Sequence, residues 1–219
     1  MTLPLDLIKK SDILSDVHVQ DFVAIGILNE GDIATHSAII MKYNSQLFEF
    51  HYTGRDVRLD DLKSDFYHKI TTVIPSFEIP SFLKMAQNIQ RNASPNYGCF
   101  FSGEFYDQDG THFSSNIGQY MTCVGFCLNV LKGFLHKDYL QHEDWDHSTA
   151  EGFMDKDDYF TFFIQEHNLD PNKFSKALRR ITPLEMLTSS FFDDLPIGKT
   201  YIDKHKHEVK YYLQEIDIS

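Results

Sequence analysis

The stretch IATHSAIIMKYNSQLFEFH, residues 33–51, carries two short runs of strand-forming residues on either side of Asn44-Ser45. Asn and Ser bond their own local backbone and tolerate turn conformations, so the stretch reads as an antiparallel hairpin. Alternation puts His36, Ala38 and Ile40 on one face of the first strand. In the second strand Glu49 and His51 share a face, and Phe48 and Phe50 take the other. Two registers are open. If the loop is Lys42 to Ser45, position 38 pairs with 49, and Glu49 lies diagonal to His36 at roughly 7–8 Å between backbones. If the loop is Asn44-Ser45 alone, 38 pairs with 51 and His51 takes the diagonal place. Either register sets a polar group beside the His36 imidazole.

Working outward, Gly54 marks a turn before a short extended piece at Val57 to Leu59, and Pro75 and Pro80 punctuate a connection. Ser81 to Arg91 reads as a short helix, and YGCFFSGEFYDQDG as extended. In TCVGFCLNVLKGFL, Val124, Cys127, Leu128, Leu131 and Leu135 follow helical spacing, while Phe126, Val130 and Phe134 lie off that stripe. A helix apolar on most sides belongs in the interior. The acidic, turn-rich segment HEDWDHSTAEGFMDKDDYF reads as an elaboration. Asp170 before Pro171, and Thr182 before Pro183, are helix-start signals. KTYIDKHKHEVKYYLQEI alternates Tyr201, Asp203, His205 and His207, which predicts one or two closing strands. The expected class is α+β, a small antiparallel sheet packed on a buried helix. One domain spans 1–219, with possible insertions at about 62–97 and 141–168.

Composition narrows the function classes. With 219 residues, 42% hydrophobic and 24% charged, the chain has an ordinary globular balance and can bury a full core. Its 32 Asp+Glu against 20 Lys+Arg leave a net charge of -12. That field repels phosphate backbones and anionic membrane surfaces, so nucleic acid is a poor partner. No apolar run approaches the roughly 20 residues of a membrane span, and the start, MTLPLDLIKKSDIL, lacks the order of a secretory signal. A cytoplasmic location is expected. Three cysteines, too few and odd in number for a disulfide framework, raise the question of a reactive thiol.

Cys123 is the strongest candidate. Thr122 is an acceptable N-cap, which puts Cys123 in the first turn of the buried helix, where free N–H groups and the helix dipole stabilise an anion. Cys127, one turn on, and Cys99, in an aromatic stretch, read as small buried hydrophobes. A thiol, the His36 imidazole and a third group that fixes its tautomer form the logic of an activated cysteine. Metal chemistry is less well supported. In HEDWDH the second histidine of a zinc helix is replaced by Asp146, and His147 falls one place late. Asp155, Asp157 and Asp158 lack the glycine and terminal glutamate of a calcium loop. His205 and His207 read as exposed rather than chelating. No metal and no cofactor is expected.

Thr-His-Ser-Ala-Ile-Ile at 35–40, Leu-Phe-Glu-Phe at 47–50, Arg55-Asp56-Val57-Arg58-Leu59 and Thr-Cys-Val-Gly-Phe-Cys at 122–127 resemble the circularly permuted NlpC-type cysteine peptidases and amidases. These are relatives of lecithin:retinol acyltransferase within the papain-like superfamily. Lys-Ser-Asp-Ile-Leu at 10–14 and Thr-Pro-Leu-Glu-Met-Leu-Thr-Ser-Ser at 182–190 extend the resemblance over most of the chain. The chain departs from the family by His-Ser-Ala-Ile for His-Val-Gly-Ile and by Thr-Cys-Val-Gly for Tyr-Cys-Ser-Glu. The resemblance implies a permuted papain-like fold and acyl transfer through a thioester on a peptide, amide or lipid-ester substrate. It implies Cys123 as nucleophile, His36 as base and Glu49 as orienter, with His51 in reserve. The Cys123 backbone N–H would meet the oxyanion, with Gln119 or Tyr120 as candidate second donors. The alternative is an inactive papain-like module that binds a peptide, glycan or lipid head group.

Overall fold

A computed structural model describes residues 3–10, 20–30, 33–98, 104–114, 119–145, 164–168, 170–172 and 179–218. The strands are β1 (Lys9–Lys10), β2 (Phe22–Glu30), β3 (Ile33–Tyr43), β4 (Gln46–Tyr52), β5 (Val57–Asp61) and β6 (Tyr67–Thr71), followed by helix α1 (Ile79–Asn92). Then come the two-residue strands β7 (Asn96–Tyr97), β8 (Phe105–Tyr106), β9 (His112–Phe113) and β10 (Tyr120–Met121). Helices α2 (Cys123–Leu135), α3 (Pro183–Ser189) and α4 (Lys199–Ile218) complete the described chain. The class is α+β, as expected.

β3 and β4 form the expected hairpin with Tyr43 opposite Gln46, so the loop is Asn44-Ser45. Both residues have positive φ, 49° and 65°, the turn whose twist matches the flanking strands. The shorter loop puts Ile40, not Ala38, opposite Glu49. The register that would have brought Glu49 diagonal to His36 is therefore not the one adopted.

The main sheet has six strands in the order β1-β6-β2-β3-β4-β5, every neighbour antiparallel. Within the 62–97 stretch, read from the sequence as a possible insertion, β6 pairs between β1 and β2, and α1 packs on the sheet. One face, carrying Val23, Ile25, Ile39, Met41, Phe50 and Tyr52, packs on α1 and α2 in one apolar cluster. Further along that face Ile27 and Tyr67 meet Leu187 of α3 and Val209 and Leu213 of α4. The opposite face carries Phe22, Ala24, Ala38 and Ile40, closed by Phe66 from the segment joining β5 to β6.

α2 is the buried helix that its composition predicts. Phe126 lies against Phe50, Tyr52 and Tyr106 with ring centroids 5.1, 6.1 and 5.8 Å away. Thr122 caps the helix by accepting from the Gly125 N–H at 3.1 Å. Gly133 lets α2 touch the backbone of β8: a Cβ there would sit 1.7 Å from the Tyr106 carbonyl oxygen. Thr182 caps α3 in a capping box with Glu185. Asp170 accepts from the Asn172 N–H at 2.9 Å, the expected cap, and the rest of that segment lies largely outside the described residues.

The closing strands are not strands. Residues 199–218 form one helix, α4. The alternation of Tyr201, Asp203, His205 and His207 competes there with a helical stripe of Ile202, His205, Val209 and Leu213, all buried. Spacings of three and four put that stripe on one helix face, and burying it against α3 and the sheet outweighs the weaker period-two pattern. Lys199 and Lys206 both pair with Asp203, at helical spacings a strand would separate. His205 is thus buried and His207 exposed, on different sides of the helix.

Candidate functional site

Cys123 is the first residue of α2. Its half-buried thiol lies by the backbone N–H of Ser37, which together with the N–H groups of Val124 and Cys123 itself favours the thiolate. Burial is the larger influence and pushes the thiol above its ordinary range. The helix start therefore softens the desolvation penalty without reversing it, and the resting thiol is neutral at pH 7. The N–H groups of the helix start thus act in the expected direction, against the larger effect of burial. Cys127 is fully buried, as expected, and pushed higher still by burial. Cys99 lies outside the described residues.

His36 Nε2 is 2.7 Å from His51 Nδ1, and the rings meet edge to face at 4.9 Å. Burial, with a smaller effect from His51, lowers the His36 pKa to about 4, and burial also lowers that of His51. Both imidazoles are neutral at pH 7. Since Nε2 of His36 is engaged with His51, Nδ1 is the nitrogen left to exchange a proton with anything else.

Glu49 is elsewhere. Its carboxylate accepts from the Ser64 N–H at 3.1 Å, the Lys63 N–H at 3.4 Å and the Ser64 hydroxyl at 3.2 Å. It tethers the segment leaving β5, while His51 partners His36. The reserve residue and the first choice thus exchange places, and the two-residue loop is the reason.

The strand pleat separates the groups. The rings of His36 and His51 each lie 6.3 Å from Phe66, on the face of β3 away from α2. The thiol approaches β3 from the α2 side, at the amide of the residue next to His36. No hydrogen bond joins Cys123 to His36 among the described residues. Gln119 is exposed and its carbonyl accepts from the Asn96 N–H at 2.9 Å, while Tyr120 opens β10 with its ring 4.8 Å from that of His167. Among the described residues no three His, Cys, Asp or Glu side chains gather as a metal site requires. No described helix is long and apolar enough to cross a membrane. His147, Asp155, Asp157 and Asp158 lie outside the described residues.

Sequence reasoning passed over His112. It stacks on Tyr106 at 4.4 Å, and its Nε2 lies 3.3 Å from Nδ2 of Asn129, which is 1% exposed. The available signal was Asn129, a polar residue on a helix otherwise apolar on nearly every side. Comparison with protein families, with curated proteins and with solved structures returned no match.

Proposed function

We propose that this chain is a cysteine-dependent hydrolase or acyltransferase with a permuted papain-like arrangement, in which Cys123 is the nucleophile and His36, oriented by His51, is the base. The observation that carries this reading is that the thiol and the bonded histidine pair both lie at residues 36–37 of β3, on its two faces. The thiol at the start of α2 lies at the Ser37 amide, and the neighbouring His36 holds a 2.7 Å bond to His51. In the acylation step the Cys123 S–H proton passes to His36 Nδ1 as sulfur bonds to the amide or ester carbonyl carbon. The Cys123 backbone N–H faces the resulting oxyanion. Collapse breaks the bond to the leaving amine or alcohol, which takes the proton from His36 Nδ1. Water, or an acceptor hydroxyl or amine, then resolves the thioester by the reverse proton path. A neutral imidazole is the correct starting form for a base. The resting thiol and imidazole are not paired and lie on opposite faces of β3, so this reading requires the backbone of β3 to rearrange at residues 36–37 on substrate binding, with His51 following His36.

A second reading, a papain-like module that binds a peptide, glycan or lipid head group without turnover, is favoured by the raised thiol and the opposite-face placement. Incubation with a panel of activated amide and ester substrates, followed by intact mass spectrometry, separates the two. Acylation at Cys123, lost in Cys123→Ala with the fold intact by circular dichroism, supports the enzyme. No acylation by any substrate, or acylation that survives His36→Ala undiminished, supports the binding module.

A further inference from the structure

A cleft of about 380 Å³ opens between the end of α1, the turn joining β8 to β9, and Gln119 just before β10. That volume falls in the range of small-molecule sites. Its polar lining comes from Asn92, Ser94, Thr111, His112, Ser114 and Gln119, and no charged side chain lines it among the described residues.

The walls are held in place without a ligand. Asp107 Oδ1 accepts from the N–H groups of Asp109 at 3.0 Å and Thr111 at 2.8 Å. The amides of Asn88 and Asn92 donate to the carbonyls of Gln108 and Asp109 at 2.8 and 2.7 Å, locking the turn onto α1. Asn92 keeps its Oδ1 for another donor.

Behind the cleft the tautomer of His112 is set by Asn129. The Met121 thioether only accepts, so Asn129 faces it with its NH₂ group, Nδ2 to Sδ being 3.9 Å. The same NH₂ donates to His112 Nε2. The neutral ring must then carry its proton on Nδ1. Asn129 Oδ1 is buried without a partner, an arrangement that costs about 1–3 kcal/mol. Retaining an amide there, against an apolar alternative, argues that its task is to position His112.

We propose that this cleft binds a neutral polyhydroxylated ligand of saccharide size, with His112 Nδ1–H donating to one of its oxygens. The lining hydroxyls and carboxamides each donate and accept, matching sugar hydroxyls that do both. Among the described residues the lining offers a charged ligand no opposite charge to offset its desolvation. Binding does not depend on acyl transfer at Cys123.

The test is nitrogen-15 NMR of the full chain, titrated with glucose and N-acetylglucosamine, and with glucuronate as the charged counterpart. The expected result is a proton on Nδ1 of free His112 and a saturable shift of its ring with at least one neutral sugar. Affinity should fall roughly tenfold or more in His112→Ala and in Ser94→Trp, which fills the cleft from an exposed position. Glucuronate should bind at least tenfold more weakly, and Cys123→Ala should bind as the wild type does. A proton on Nε2, no shift with either neutral sugar at tens of millimolar, equal binding of glucuronate, or full affinity in both cleft variants overturns the proposal.

Discussion

His51 and Glu49 stand two residues apart on one strand face and do different work. Glu49 satisfies two backbone amides and a hydroxyl beyond β5, so Glu49→Ala leaves those donors without their acceptor. Its expected cost is about 1–3 kcal/mol of stability, read by urea denaturation. His51→Ala removes the partner of His36 from a half-buried site, and under the proposed chemistry it lowers kcat about tenfold or more with a smaller loss of stability. If the two variants reverse these roles, His51 is not the orienter. The thiol supplies a second residue-scale prediction. With burial outweighing the three N–H groups, iodoacetamide labelling of Cys123 should be slow at pH 7 and rise only at a pH above that at which an ordinary exposed thiol labels. His36→Ala should leave that profile unchanged, because no imidazolium pairs with the thiol at rest. Fast labelling below pH 7 would contradict the neutral pair.

At the scale of elements, α2 is placed by what it lacks. Gly→Ala within a helix ordinarily stabilises by about 0.5–1 kcal/mol. At Gly133 the added methyl would overlap the Tyr106 carbonyl, forcing α2 away from β8 or breaking the short β8–β9 pair. Gly133→Ala is therefore expected to destabilise by about 3 kcal/mol or more, lowering Tm by roughly 6–12 °C in a thermal melt. A Tm that holds or rises would mean that α2 does not make this contact. α4 teaches the complementary lesson. Its Tyr201, Asp203, His205, His207 alternation is real in the sequence, yet Ile202, Val209 and Leu213 offer an apolar stripe that only a helix aligns. With both periods present, the neighbours able to cover a stripe decide, and those are α3 and the sheet.

For the molecule as a whole, two neutral histidines of the sheet, His36 half-buried and His68 buried, set the acid limit. Burial lowers His36 to about 4 and His68 also to about 4, the Phe66 backbone opposing the latter without making a full hydrogen bond. Below pH 6.5 the unfolded chain binds protons that these folded imidazoles refuse, so stability falls as pH drops to about 4 and then levels for these groups. Each contributes on the order of 3 kcal/mol, and together they consume much of a typical 5–15 kcal/mol. Cooperative unfolding within that window, followed by circular dichroism, is expected, and His68→Phe should shift it to lower pH. A stability profile flat from pH 6.5 to 4 would remove the argument. By itself the sequence determined the elements whose signals are local: the Asn44-Ser45 hairpin, the Thr122 and Thr182 caps, the apolar α2 and the cysteine at its first residue. Turn chemistry, capping and periodicity act within a few residues, so they can be read there. Tertiary structure alone decided the hairpin register, the exchange of Glu49 for His51, the helical form of 199–218 and the pairing of Asn129 with His112. Each of these depends on which distant surface covers a side chain, and a covered side chain obeys burial and hydrogen-bond satisfaction before it obeys its neighbours in the chain.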